Sequence, residues 1–314
     1  MTRHRLVTLI AASAATVSLT ALGCSSESPS PTTGQPGQTS SPTAANPSAD
    51  RTPFTLQKAD DPVAQALAGV GVECYPGWQE PIQMVVCHAK GRGQETRIYY
   101  QVDGNGFVDG DITSVAGSQE RWAPPLAEAA KAVATALAPR NADVVAQVAG
   151  EASAEGKEVG TAWGTFTAVG GGGGGTVTVT RKGAKRTTID KVAWTGTADA
   201  AATALKDAGY ACEGDKDITC TANGDEVKFV AGVGGLNYVV AKVGSGALSP
   251  TSKVVADLPL ALRALAGEQA GWRIGDVAAQ LADGTAHEVV VDGYTLELDG
   301  GSVFVKPAEW RGLR

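Results

Sequence analysis

Apolar residues recur at helical spacing in some stretches of the chain and at every second position in others, and the two patterns take turns. Val63, Leu67 and Val70 lie on one face of a short helix. Asp61 or, further along, Asp199 can cap such a helix by accepting from free backbone N–H groups, and Pro62 suits a first helical position. Gly71 and Gly209 are placed to end the helices. ETRIYYQV, the stretch around GFVDGDITSV, EVKFVA and LNYVVAKV then read as strands, with DGNG and GVGG as hairpin turns. Together with the strand that bears the second cysteine, each half gains a three-strand meander. Leu126, Ala130, Val133 and Leu137 line a further helix and DVVAQVAG the next; Leu258, Leu262 and Leu265, then DVAAQLAD, do the same later. TAWGTFTAV and TVTVT flank the run Gly170 to Gly175, and HEVVV, YTLEL and SVFVK are separated by Asp292-Gly293 and Gly300-Gly301, both strong hairpin signals. The order is one helix, three strands, two helices and two or three strands. Hairpin-linked strands predict an antiparallel sheet with helices on one face, an α+β fold.

This order occurs twice. Asp61 falls on Asp199, Leu67 on Leu205, Gly71 on Gly209 and Cys74 on Cys212 in one register. Cys87 with Cys220, and Asp143 with Asp276, share a second register that is five residues shorter, so one length difference between the cysteines explains the shift. Self-similarity at so long a period predicts two homologous domains in tandem, over residues 57–190 and 191–314.

Residues 1–23 have the layout of a secretory leader: Arg3 and Arg5 precede an uncharged run from Leu6 to Leu22. The run ends in TALGC, which resembles the lipobox of bacterial lipoproteins, although Ala21 stands where that family usually has leucine and Leu22 follows one place later. The resemblance implies cleavage before Cys24 and a lipid such as palmitate on its sulfur, hence a lipid-anchored protein on the extracytoplasmic face of the cell membrane. Residues 24–56 carry Pro29, Pro31, Pro36, Pro42, Pro47 and Pro53 among Ser, Thr, Gly and Gln, a disordered tether by composition. A flexible chain of that length spans on the order of 30 Å.

The formal net charge is −7, and loss of the leader removes two arginines and no acid. An acidic chain without a basic run is not expected to bind nucleic acid. With Cys24 assigned to lipid, four cysteines remain and three pairings exist on paper. Duplication singles out Cys74 with Cys87 and Cys212 with Cys220, as befits an exported chain. Two cysteines per domain, with His88 and His287 the only histidines after the leader, do not supply a structural zinc site.

Candidate chemistry is sparse. DGNGFVD resembles the middle of an EF-hand calcium loop through Asp103, Asn105 and Asp109, but Gln101 and Ile112 occupy the places where that family has acids. Asp103 to Asp109 therefore reads as a hairpin turn, with no metal and no cofactor assigned. Neither GxSxG nor SxxK occurs, no phosphate loop follows the glycine run, and neither His88 nor His287 lies in a triad context, so no catalytic residues are named. Inside the disulfide loop the first repeat carries YPGWQEP where the second has EGDKDIT. Tyr75 and Trp78 are thus candidate contacts for a protein or glycan partner, since rigid aromatics lose little entropy on binding.

Tandem units with a helix, a short-range disulfide and an antiparallel sheet also resemble the layout of the β-lactamase inhibitory proteins. Residues 61–115 and 199–243 carry that resemblance, while the units here are longer and insert a helical pair. The expected function is a membrane-anchored binding or interaction module. Inhibition of a cell-wall or secreted enzyme is the alternative by analogy, and an envelope hydrolase the second.

Overall fold

The computed structural model of the chain describes residues 51–309 apart from 79–82, 92–93, 117–124, 172–173, 186, 188–189 and 285. The expected leader and Cys24 lie outside these residues. In the first half the elements are α1 (Pro62–Ala68), β1 (Glu73–Trp78), β2 (Gln83–Gly91), β3 (Gln94–Asp103), β4 (Gly106–Ala116), α2 (Leu126–Leu137), α3 (Ala142–Gly150), β5 (Lys157–Gly160), β6 (Gly164–Gly171) and β7 (Gly174–Arg181). The second half has α4 (Ala198–Asp207), β8 (Ala211–Glu213), β9 (Ile218–Ala222), β10 (Asp225–Gly232), β11 (Gly235–Lys242), α5 (Lys253–Ala266), α6 (Glu268–Ala282), β12 (Glu288–Val291), β13 (Tyr294–Asp299) and β14 (Ser302–Pro307).

Each half forms one seven-stranded antiparallel sheet, ordered β1-β2-β3-β4-β7-β6-β5 in the first and β8-β9-β10-β11-β14-β13-β12 in the second. The two orders correspond strand for strand, so the α+β repeat is present at the level of topology. Each half holds its own disulfide, Cys74–Cys87 and Cys212–Cys220, joining directly opposed residues of neighbouring strands. The first cysteine of each pair also lies in a strand, which makes the meander four strands long where three were expected. Pairing to β2 and β9, not side-chain alternation, makes strands of YPGW and ACE.

Helices cover one face of each sheet. Leu67, Ile98, Tyr100, Ile112, Val133 and Phe166 fill the first core, and Leu205, Phe229, Leu258, Leu262, Val277 and Leu296 the second. Asp61 caps α1 by accepting from the N–H groups of Val63 and Ala64, with Pro62 behind it as expected. Its other oxygen accepts the Tyr100 hydroxyl at 2.7 Å, tying the cap to the sheet. In the second copy Thr197, not Asp199, is the cap: it accepts from Ala200 N–H, and Asp199 sits in the first turn.

α6 begins well before the expected DVAAQLAD, because Gly271 and Gly275 bring it against α5. A Cβ at Gly271 would lie 2.3 Å from the Arg263 nitrogen, and one at Gly275 2.4 Å from the Pro259 ring. Pro259 sits inside α5. Turns follow the sequence closely: Asp292-Gly293, Gly300-Gly301 and also Asn223-Gly224 adopt positive φ at consecutive residues, as two-residue hairpins require.

Both halves belong to one compact unit, Thr52–Arg314. Of the tether expected over residues 24–56, residues 24–50 lie outside the described residues, and the last part is not free, since the chain is held at Phe54 and Leu56. The Phe54 and Leu56 N–H groups donate to Asp276 Oδ2 and Gln280 Oε1 on α6, Gln280 Nε2 donates back to the Phe54 carbonyl, and Arg273 lies over the Phe54 ring. This strap belongs to the second core, although its continuation builds the first half. No described helix is long and apolar enough to cross a membrane.

Candidate functional site

Most strands alternate, but β2 carries the unbroken run Met84, Val85, Val86, Cys87, and all four residues of β12 are buried. An apolar run without alternation belongs to a strand covered on both faces. The reason is a seam: β12 of the second half packs against β1 and β2 of the first. Met84, Val86, Val108, Val290 and Ala308 form its apolar part.

Beyond that apolar patch the seam is charged. His88 follows Met84 and Val86 at alternate positions of β2 and is paired across the ladder with Arg97 on β3; Glu288 on β12 is paired with Glu297 on β13. Two like charges directly opposed in a ladder repel. Arg97 from the other half offsets this, with its Nε 3.0 Å from Glu288 Oε2 and an Nη 3.4 Å from Glu297 Oε1. Glu95, two residues before Arg97 on the same face, pairs with it and with His88 Nε2, the latter at 3.2 Å. Tyr99 donates its hydroxyl hydrogen to Glu288 Oε1 at 2.8 Å.

The electrostatics follow from this packing. The His88 hydrogen bond, helped by the Arg97 charge, holds the Glu95 carboxyl down at about 2 despite partial burial. Burial alone would lower the Arg97 guanidinium, but Glu288 and the other acids around it raise it. Burial, reinforced by the Glu288 charge, pushes the Tyr99 phenol well above its usual range. Glu288 Oε2 is buried and accepts no hydrogen bond: Arg97 Nε is near enough but points along no bonding direction.

A cleft of about 440 Å³ opens beside this cluster, lined among others by Lys58, Glu73, Tyr75, His88, His287 and Glu288. Both histidines of the described residues therefore line one cleft, although 199 positions separate them in the sequence. His88, Glu95 and Glu288 each offer one atom within 4.8 Å of the others, the single grouping among the described residues with the composition of a metal site.

The expected site residues are distributed differently. Tyr75 does not stand on an exposed loop. It lies in β1 with 2% of its surface accessible, completes the second half's core, and donates its hydroxyl to Glu73 Oε2. The second half covers that edge strand, which is why the ring is unavailable as a surface anchor. Trp78 ends β1, and its side chain lies outside the described residues. Asp103 and Asn105 form the tight turn between β3 and β4, where Arg181 already occupies both carboxylate oxygens of Asp103 at 3.0 and 2.6 Å. Asp109 is buried in β4, opposite Gln101, and does not join them in a ligand cluster. His88 is a strand-face residue as expected, but the face is an interface. The unbroken MVVC and EVVV runs were the signals that could have located it.

No protein family, curated protein or solved structure matches the chain.

Proposed function

We propose that this chain is a lipid-anchored extracytoplasmic binding protein whose ligand site is the cleft between its two halves. The observation that carries the reading is the convergence in one cleft of His88, His287, Glu73, Glu288 and Lys58, drawn from both halves. Pockets that join a few convergent polar groups to an otherwise packed boundary are the usual place for a ligand. Supporting the address are the leader with its TALGC ending, the tether composition, and two disulfides of the kind that persist in exported proteins.

The test compares three proteins expressed in their own cells: wild type, Cys24→Ala, and Ala68→Trp. Ala68 is an exposed residue at the end of α1 that lines the cleft, so a tryptophan there obstructs the opening without entering the core. Fractionation should place the wild type with membranes and Cys24→Ala in the soluble fraction. Native mass spectrometry should find an added mass on wild type recovered from the envelope that Ala68→Trp lacks. A soluble wild type refutes the anchor, and equal masses in wild type and Ala68→Trp refute the cleft.

A further inference from the structure

We infer that His88 Nε2, together with one carboxylate oxygen each from Glu95 and Glu288, binds a divalent metal ion of the zinc class across the seam. The inference rests on reading this cleft as a binding site and names what sits in its wall. Geometry comes first. His88 Nε2 lies 3.2 Å from Glu95 Oε1 and 3.7 Å from Glu288 Oε2. Ligands held at about 2.0–2.2 Å from a tetrahedral ion stand roughly 3.4 Å apart; the two separations from His88 bracket that value, and all three atoms lie within 4.8 Å of one another.

Charge points the same way. Glu95, Glu288 and Glu297 bring three carboxylates to the cluster, and Arg97 lies within ion-pair distance of all three. The two carboxylates in ligand positions, Glu95 and Glu288, match the charge of a dication. A carboxylate held where the His88 and Glu288 side chains are 2% and 1% exposed needs a cation beside it. The buried Glu288 Oε2 accepts no hydrogen bond although Arg97 Nε stands 3.0 Å away, so its lone pairs are open to an ion in this spot.

Ligand chemistry narrows the ion. One imidazole with two carboxylates suits first-row divalent metals better than calcium or magnesium, which favour all-oxygen shells. Three protein ligands leave one position open. Because His88 and Glu288 also line the cleft, that position is available to a donor atom of whatever the cleft admits. Arg97 stands in for the ion when the site is empty, pairing with Glu95 and Glu288; on metal binding it keeps Glu297, already 3.4 Å away. The ion would thus join β2 and β3 of one half to β12 of the other.

The experiment uses the full chain in detergent, stripped with a chelator and titrated with zinc chloride alone by calorimetry. One zinc per chain is expected, with a melting temperature that rises with free zinc. His88→Gln and Glu288→Gln should each weaken binding by about 100-fold or more. Should either variant fail to fold, Glu95→Gln, at the more exposed member of the set, gives the same comparison, and X-ray absorption on the wild type should show one imidazole nitrogen among oxygen ligands. Absence of saturable zinc binding overturns the inference, as does zinc binding undiminished in Glu95→Gln and His88→Gln. Ala68→Trp separates this from the cleft reading, since it should block the envelope-derived mass and leave zinc affinity intact. An envelope-derived mass on a protein that binds no zinc removes the metal and keeps the cleft. Zinc binding without any such mass upholds the ion and removes the cleft reading.

Discussion

Tyr99 and Glu288, 189 positions apart in the sequence, share a 2.8 Å hydrogen bond in which the phenol of one half donates to a buried carboxylate of the other. Tyr99→Phe keeps the ring and removes the donor. The expected loss is about 1–3 kcal/mol, because the acceptor stays buried while its donor disappears. Urea denaturation measures it, and a double-mutant cycle with Glu288→Met, which removes the acceptor, should return a coupling of similar size. Additive single effects would mean the bond contributes nothing to holding the seam.

Arg97→Met tests the charge arrangement. Removing the guanidinium leaves Glu288 and Glu297 opposed across their ladder with Glu95 nearby. We expect a destabilisation of about 3 kcal/mol, the usual order for breaking an ion pair whose partner stays buried. Adding Glu297→Gln to Arg97→Met should recover part of it. A melting temperature unmoved by Arg97→Met would show that the acids are already neutralised in another way.

Two helical glycines should respond oppositely to alanine. At Gly271 the new Cβ would lie 2.3 and 2.4 Å from the Arg263 backbone, so α5 and α6 must part, at about 1–3 kcal/mol or more. At Gly150, the last residue of α3, the nearest atom is the Ala127 methyl at 3.6 Å, an ordinary contact. Gly150→Ala should be neutral or stabilise by up to about 1 kcal/mol through reduced chain entropy. Thermal melts of the two variants decide the matter, and a stable Gly271→Ala would contradict the close helix approach.

Alkaline pH should unfold the protein cooperatively. Burial, the largest cause in each case, raises the phenols of Tyr75, Tyr99, Tyr100, Tyr210 and Tyr294, the last to about 12. In the unfolded chain these groups ionise near 10, so above that pH the unfolded state loses protons that the folded state retains. Stability is therefore fully present below pH 10 and falls as pH rises toward the folded values, by about 1.4 kcal/mol per pH unit for each such tyrosine. Absorbance at 295 nm should show these phenols ionising together with loss of the circular dichroism signal. Reversible ionisation of all of them in a protein that stays folded would refute the burial.

The duplication was legible because its register is written in cysteines, glycines and helix periodicity, and the same register reappears as two sheets with corresponding strand orders. Cysteine pairing was legible for the same reason. Elements whose identity depends on a neighbour were harder to read. β1 and β8 have too little alternation to signal a strand and owe it to their partners, and α6 starts at Glu268 because Gly271 and Gly275 admit α5. The candidate site lay beyond sequence pattern altogether. His88, Arg97, Glu288 and Glu297 come from four strands in two halves, and each looks like an ordinary strand residue beside its own neighbours. Only two apolar runs that fail to alternate hinted that a second surface covers them.

The strap at Phe54 and Leu56 gives the molecule a definite path for mechanical load. A pull arriving from the N-terminal side reaches Asp276 and Gln280 of the second half before any strand of the first. The first half is slung between that strap and the connecting chain at Thr187, itself gripped through both backbone groups by the Gln101 amide. A pull of that kind would load the strap's hydrogen bonds on α6 first, ahead of the strands that carry His88 and Glu95.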